Sequence, residues 1–531
     1  MKRAYMIIAV MTAAFAPLCA QTANDGYVFS LNDYLGTAKT VGMGNAVTAL
    51  GGDIGAVGIN PAASAVAGYS QYTITPGLNI SIQSAQGTIS PSQDQPFANA
   101  FRSASTKFTM PNVGFTINYK TNRYRGLRSF SLGVVMNRTA SYMDNIATSG
   151  ANSETSMMGS LAAGASGLTP SQLSGIYAMA YNSGMISTFA DFNDQYIGTS
   201  EAYEIGQGGA AEIWQAGLLN QKYSRGISGS KNDFLFNAAL NINDELYIGG
   251  NFGVSMLSYI YGDCFKEIAA DPSDFYLDFG DAGTTCFDNM SYSYDYEAEG
   301  VGLYAKLGVI WAPRSSGLRL GAAIQTPTAM MMEERWGSFG ETCYTDRNFD
   351  SHADGPSGED YSYMLKNPFR FNVGAAYTFG AHGVASLDYE FCDYSSVRFS
   401  TGDLYDRDFF MDLNQDVTNT LGASHNVRAG VEFKPVNSVA LRAGFGYLSS
   451  GQRILNETGR KVSTKAYRLS PSIGAGYVGK GSFFLDAACR LNLYEKEYIY
   501  PYDDYVDGVY SPEILNTKKL LNILLTVGYR F

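Results

Sequence analysis

The closing stretch LNILLTVGYRF (residues 521–531) decides the fold. Leu521, Ile523, Leu525, Val527, Tyr529 and Phe531 fall on one face of an extended chain. Asn522, Thr526, Gly528 and Arg530 fall on the other, with Leu524 as an apolar exception. A side-chain period of two with one greasy and one polar face describes a strand that separates two environments. The same alternation recurs upstream. Val427, Ala429, Val431 and Phe433 alternate with Arg428, Gly430, Glu432 and Lys434, a short turn follows at Pro435–Ser438, and Leu441, Ala443, Phe445 and Tyr447 then alternate with Arg442, Gly444 and Gly446. This hairpin sets Glu432 across from, or diagonal to, Arg442. Phe483 to Leu491 and Phe369 to Tyr377 repeat the pattern.

About fourteen such runs are found, an even number as bacterial barrels require. They begin near Ser70, Met110, Ser129, Asn232, Leu246, Met290, Leu318, Tyr361, Val384, Ser424, Val439, Lys465, Ser482 and Lys518. Short turns near Asn122, Asn243, Ser315, His382, Asn437 and Lys480 alternate with long excursions. Segregation of loop lengths to opposite ends predicts an all-β, fourteen-stranded antiparallel transmembrane barrel rather than a sandwich. Composition agrees. Of 531 residues only 16% are charged, and Gly (58) and Tyr (38) are heavily used. Tyr suits a membrane interface, and Gly suits tight turns and crowded interiors. Beyond the first twenty residues no apolar run has the length of a spanning helix.

The N-terminus reads as a signal peptide over residues 1–20. Lys2 and Arg3 precede an apolar stretch from Tyr5 to Ala16, and Ala20 precedes Gln21. Cys19 leaves acylation as a lipoprotein as the alternative. Removing Lys2 and Arg3 would carry the net charge from −12 to about −14. Such an acidic chain has no basic stripe for nucleic acid. Cys264, Cys286, Cys343, Cys392 and Cys489 form no zinc spacing. Cys264 and Cys286 fall in one expected loop, as a disulfide or as free thiols.

Residues 21–68 precede the first strand and are rich in Gly and Ala. They read GTAKTVGMGNAVTALGGDIGAVGINPAASAVAG from Gly36. Val41, Ala46, Val47 and Leu50 suggest one side of a short helix. A Gly-rich run ending in Asn60-Pro61-Ala62 ahead of the first strand resembles the N-terminal hatch of the FadL-type transporters of hydrophobic compounds, the family that includes TodX. LRLGAAIQTPTAMM from Leu318, expected as one strand, and the terminal aromatic Phe531 extend the resemblance. It implies a hatch (21–68) plugging the lumen of a barrel (69–531), with Gly42, Gly44, Gly51, Gly52, Asp53, Asn60, Pro61 and Ala62 in the hatch or gate. It also implies an outer-membrane location in contact with lipid and lipopolysaccharide, with Tyr529 and Phe531 as a signal to the barrel assembly machinery.

The longest excursion, 143–231, is expected to carry two helical stretches. One follows the cap Thr169-Pro170 with Leu173, Ile176, Tyr177 and Ala180, and the other holds Ile213, Trp214, Ala216, Leu218 and Leu219. Ile176, Tyr177, Tyr181, Ile213, Trp214 and Leu218 are the candidate ligand-collecting residues. The polar faces of the strands place Lys306, Arg319, Arg370, Arg428, Arg442, Arg468, Arg490 and Arg530 in the lumen, with Asp388, Glu390, Glu432 and Asp486. They read either as a ladder that stiffens the wall and anchors the hatch, or as a carboxylate receptor with one Arg unpaired. Three histidines, His352, His382 and His425, support no catalytic set, and no cofactor or metal site is expected. The acidic run Asp403, Asp406, Asp408 and Asp412 reads as a solvated loop, with cation bridging as the alternative. The resemblance implies passive transport of hydrophobic molecules such as long-chain fatty acids. Haem uptake, or a non-transporting barrel serving as a surface or secretion partner, are the alternatives. No departure from alternation locates a kink in the third strand, on which sideways exit would depend.

Overall fold

The computed structural model describes residues 21–88, 101–189, 192–205, 211–455, 461–479 and 481–531. The expected signal peptide, Cys19 and Lys480 lie outside these residues.

Fourteen antiparallel wall strands close on themselves. They are β1 (Gln71–Thr88), β2 (Phe101–Lys120), β3 (Leu127–Asn152), β4 (Leu219–Ile242), β5 (Leu246–Ala269), β6 (Thr284–Trp311), β7 (Leu318–Gln325 and Ala329–Tyr344), β8 (Ser351–Lys366 and Arg370–Phe379), β9 (Gly383–Asp393 and Arg398–Ser400), β10 (Ala423–Val436), β11 (Val439–Ser449), β12 (Tyr467–Leu469 and Ser472–Val478), β13 (Phe483–Tyr494 and Glu497–Ile499) and β14 (Glu513–Arg530). β14 pairs with β1 from Gln71↔Arg530 to Thr88↔Glu513, which leaves no edge there. Val301, Leu303, Leu307, Val309 and Trp311 of β6 and Ile248, Phe252, Met256 and Ile260 of β5 point outward and exposed, as hydrocarbon requires. Tyr72, Phe115, Phe483, Tyr529 and Phe531 form an aromatic belt at the short-turn end, with rings 4.8 to 6.3 Å apart along the chain of contacts. No described helix is long and apolar enough to cross a membrane.

Several expectations change. The LRLGAAIQTPTAMM stretch is one strand interrupted at Thr326–Thr328, beside a matching break at Asn367–Phe369 in β8. A proline stands in each break and supplies no N–H to a ladder. The excursion after β3 is shorter than 143–231, because β3 and β4 stay paired up to Asn152↔Leu219. Within it, α4 (Met157–Ala165) was not expected, and α5 (Gly175–Asn182) begins after a short turn at Pro170–Gln172 rather than at Leu173. Ile213 and Trp214 are not helical. Ala211–Gln215 pairs with Glu201–Ile205 as a hairpin, where β-branched and aromatic residues prefer to be. Cys264 and Cys286 lie on the neighbouring strands β5 and β6 and are free. Cys264 sits opposite Ser293, seven residues along β6 from Cys286, too far for a disulfide.

Residues 21–68 fill the lumen with α1 (Ala23–Ser30), α2 (Ala38–Gly42), a 3-10 turn at Gly55–Gly58 and α3 (Ala63–Val66). Only Val41 of the four residues expected on one helix lies in α2. Ala46 and Val47 are buried in the turns that follow, and Leu50 is partly buried there. Leu524 explains its own exception: it faces inward and packs with Leu35, Ala38 and Val41 of the plug. An inward apolar side chain is stabilised there because its neighbour is protein, not water.

Candidate functional site

The plug is fastened mainly by polar groups of the wall. Asn60 donates its Nδ2 to the carbonyls of Thr48 (2.7 Å), Val309 (3.1 Å) and Ala322 (3.4 Å), and its Oδ1 accepts from the Ala62 amide (3.1 Å). The Asn-Pro-Ala motif therefore ties the plug to itself and to β6 and β7. Gly308 faces it, and a Cβ there would stand 2.0 Å from Asn60 Oδ1. Asp53 Oδ1 accepts from Thr37 Oγ1 (2.5 Å) and the Gly55 amide (2.9 Å). Gly44, Gly51 and Gly52 adopt positive φ (62°, 63°, 75°), which glycine does at no steric cost. Gly44 also presses on Gly444 so closely that a Cβ on the latter would meet the Gly44 nitrogen at 2.1 Å. Gly42 packs beside Gly474 of β12. Pro61 and Ala62 lie against Gly249 of β5.

Most of the expected lumen charges are paired. Glu390 bridges Arg370 (2.9 Å) and Arg428 (3.3 Å), and Arg428 also reaches Asn372 (2.9 Å). Arg442 stands in register with Glu432 and binds both Glu432 (2.7 Å) and Asp486 (2.5 Å). Arg468 and Arg490 converge on Asp33 of the plug at 3.0 and 2.8 Å. Asp388 accepts from the Thr48 amide (2.7 Å), and Lys306 donates to the Gly58 carbonyl (2.7 Å). Lys231, not among the expected residues, donates to the carbonyls of Phe29 (2.8 Å) and Leu31 (2.6 Å) at the end of α1, where a cation also complements the helix dipole. Arg319 and Arg530 have no carboxylate partner among the described residues. Arg530 lies over the rings of Tyr69 (4.8 Å) and Phe484 (4.6 Å). The ladder reading describes this lumen better than a free receptor arginine.

Above this polar belt the lumen is aromatic. Tyr27 and Phe29 of α1 pack with Tyr259, Tyr296, Trp336, Tyr363, Tyr394, Phe399 and the helix α6 (Arg407–Thr420), through Phe410, Leu413 and Val417. Asp25 is half-buried at this cover, its carboxylate taking the Thr22 amide (2.8 Å) and hydroxyl (2.6 Å). Burial pushes its pKa up to about 6. Two small polar cavities lie between plug and wall, one near Lys231, Asp233 and Arg370, the other near Asp33, Arg468 and Arg490.

The candidate collecting residues do not form one patch. Ile176 is buried in the core of the loop canopy, with Tyr177 and Tyr181 packed against it. Ile213 and Trp214 are exposed on the hairpin, and Leu218 is half-buried at its base. Larger apolar exposure lies in the loop that leads into and along α6, at Leu404 (79%), Tyr405 (96%) and Met411 (58%). Periodicity misses these residues because they belong to an irregular loop and to the solvent side of a helix. The acidic run nearby is used locally: Asp406 accepts from Tyr361 and Asp403 from the Tyr405 amide. No metal-ligating cluster occurs among the described residues.

The wall is not complete. β2 and β3 pair only from Lys120↔Ser129 to Asn112↔Asn137. Beyond that level β2 continues to Phe101 paired with β1 alone, and β3 continues to Asn152 paired with β4 alone. Both strands are irregular at the breakpoint. β2 carries Pro111 and an extra residue against β1, and β3 shifts register between Arg138 and Ala140. The kink not located from sequence is therefore present: consecutive Thr139 and Ala140 are both buried, and the inward parity switches there. The plug occupies the vacated edge. Its Leu35 amide donates to the Arg138 carbonyl (2.8 Å) and its Asp33 amide to the Thr139 carbonyl (2.5 Å). Just below, Asn112 and Asn137 bond to each other (2.7 Å), and Asn137 reaches the Gly55 carbonyl (3.3 Å). Far up the gap Ser103 donates to the Asn145 carbonyl.

This geometry defines a plugged transmembrane β-barrel of the bacterial outer-membrane type, with an irregular opening in its wall. No family model matches the sequence, and no curated protein matches it. Among solved structures the chain is similar to a FadL homologue of Pseudomonas aeruginosa, at 13% identity and a TM-score of 0.52, over 94% of this chain and 99% of that one. A match to the toluene transporter TodX of Pseudomonas putida has 11% identity and a TM-score of 0.48, over 94% and 100%. The first of these shows that the chain has the FadL-type fold.

Proposed function

We propose that this barrel passes small hydrophobic molecules through the bacterial outer membrane and releases them sideways between β2 and β3. The observation that carries this is the wall gap whose free β3 edge is capped by the plug backbone at Asp33–Leu35. A plug bonded into the opening couples its own movement to the state of the exit. Leu404, Tyr405 and Met411 around α6 offer an apolar landing surface, with Ile213 and Trp214 as a second one. From there a ligand enters the aromatic chamber and takes the place of Tyr27 and Phe29 as α1 withdraws. Leaving sideways, it avoids the polar belt and never enters water. Long-chain acyl compounds and small aromatic hydrocarbons both suit such a chamber, and a related fold belongs to a protein described as a toluene transporter.

A second reading has one observation in its favour. The dense polar fastening of the plug also suits a barrel that is never open, acting as a surface or secretion partner. The lumen tyrosines give no support to haem uptake, since Tyr296 and Tyr363 bind Glu334 and Tyr304 binds Asp233 (2.7 Å).

Flux of a labelled hydrophobe into vesicles bearing lipopolysaccharide in the outer leaflet separates these readings. The wild type should accelerate entry over empty vesicles. Pro111→Val, which restores an N–H and a strand-forming side chain at the breakpoint, should lower the rate several-fold. Absence of flux in wild type and in a variant lacking residues 21–68 would leave the sealed-barrel reading standing.

A further inference from the structure

The short turn between β2 and β3 concentrates positive charge. Lys120, Arg123, Arg125 and Arg128 fall within nine residues, KTNRYRGLR, with no Asp or Glu among them. Arg128 is engaged by Asp244 of the neighbouring turn (3.2 Å). Lys120, Arg123 and Arg125 are exposed and have no carboxylate partner among the described residues. Two cations at other short turns are paired, Arg314 with Asp244 (3.0 Å) and Lys434 with Glu432 (3.4 Å). Arg319 and Arg530 also lack a carboxylate, but each stands alone on the inner face of the wall.

The turn is a fixed platform. The Thr121 amide donates to the Arg128 carbonyl (3.0 Å), and Asn122 and Gly126 take the left-handed backbone (φ 57° and 77°) that a tight reversal needs. The Gly126 amide donates to Asn243 Oδ1 (2.7 Å) and the Asn243 amide to the Gly126 carbonyl (2.9 Å), which bolts this turn to the next. The strands above it set its depth. Tyr119 and Phe130 stand opposite each other on the lipid-facing side, their rings stacked at 5.0 Å, and continue the aromatic belt beyond Phe115. Such rings mark the boundary between membrane and water. Short turns of these barrels face the periplasm, so the residues just past the stack lie among the headgroups of the periplasmic leaflet. Tyr124 projects from the tip of the turn, 92% exposed, with the apolar ring and polar end that suit this layer. The anion available at that depth is headgroup phosphate, and basic side chains at a membrane edge bind anionic lipid.

We infer that the β2–β3 turn binds the phosphate of an anionic phospholipid in the periplasmic leaflet. Lys120, Arg123 and Arg125 are its cations, and Tyr124 lodges among the headgroups. The inference does not depend on transport, since a sealed barrel would hold the same lipid.

The full-length barrel in neutral detergent is titrated with phosphatidylglycerol, or with phosphatidylcholine as the net-neutral comparison, and bound lipid is read by native mass spectrometry. Wild type is compared with Lys120→Gln/Arg123→Gln/Arg125→Gln, and native folding is checked by the gel shift between boiled and unboiled protein. Wild type should prefer phosphatidylglycerol. The triple variant should bind it about a hundredfold more weakly, near the level of phosphatidylcholine, and each single substitution should cost about fivefold, as expected for one basic residue at an anionic surface. The single substitutions alter exposed side chains only and keep the test decisive where the triple variant does not fold. Equal phosphatidylglycerol binding by wild type and variants overturns the inference, as does equal affinity of wild type for the two lipids. Displacement of the lipid by millimolar inorganic phosphate would make this a site for free phosphate and overturn it. Tighter binding of polyglutamate than of phosphatidylglycerol would make it a surface for an acidic polypeptide and overturn it likewise.

Discussion

The two sides of this barrel treat polar groups in opposite ways. Along β8 to β13 the charges of the inner wall are shared between neighbours: Glu390 with Arg370 and Arg428, Arg442 with Glu432 and Asp486, Asp33 with Arg468 and Arg490. Between β2 and β3 the ladder stops at Asn112↔Asn137, and two plug amides serve in place of a strand. The first side fixes the plug by interactions that are expensive to leave half-made. The second holds it by a short stretch of backbone bonding next to lipid. A plug anchored firmly on one side and lightly on the other can shift at the light side without leaving the lumen. Local opening is expected where buried apolar contacts and ladder bonds are few.

The largest effect that would break this contrast belongs to the firm side. Glu390→Leu leaves Arg370 and Arg428 buried without the ion-pair partner they share and should cost about 3–5 kcal/mol. It should be read as a lower midpoint for loss of the fast-migrating unboiled form in a urea series. A cost no greater than that of an exposed ion pair would show that the paired wall does not anchor the plug. Next in size is Asn60→Ala, which frees the Thr48, Val309 and Ala322 carbonyls and the Ala62 amide. A loss of about 1–3 kcal/mol is expected, with faster limited proteolysis within residues 21–68 in folded protein. Unchanged proteolysis would mean that the motif is only a turn.

The smallest effect concerns α1. Asp25 has its pKa raised by burial from 3.8 to about 6. A carboxyl that binds its proton more tightly when buried favours the buried state at low pH. The seated form of α1 therefore gains stability as pH falls from about 6 toward 4, and is weaker on the alkaline side. Amide exchange of residues 23–30 should slow between pH 7.5 and 5 after correction for intrinsic rates. Asp25→Asn, which keeps an acceptor for Thr22, should protect the helix and remove the pH dependence. Persistence of that dependence in Asp25→Asn would assign it to another group.

Parts of the site were legible because they repeat locally. The Glu432–Arg442 pair follows from one hairpin turn and the period of the strand, and it stands in direct register. The fourteen strands and their alternating turn lengths follow from the same period. The hairpin at Ala211–Gln215 was misread because Ile213, Trp214 and Ala216 fit a helical stripe over a span too short to discriminate. The β3 bulge did leave a mark, two buried residues in succession at Thr139 and Ala140, but both are small and tolerate either face.

Sequence alone determined that this chain is a membrane barrel, because every second side chain must suit hydrocarbon, and that requirement is written residue by residue along each strand. The same period puts Glu432 and Arg442 on the inner face, but it passes over Lys231, Asp233 and Glu334, which are also buried there. Tertiary structure alone decided which of those charges neutralise one another, why Leu524 turns toward the lumen, and where the wall opens. Each of these depends on residues separated by tens to hundreds of positions, such as Leu35 against Arg138 or Ala38 against Leu524. Such contacts are set by the closure of the barrel around its plug, and no local period encodes them.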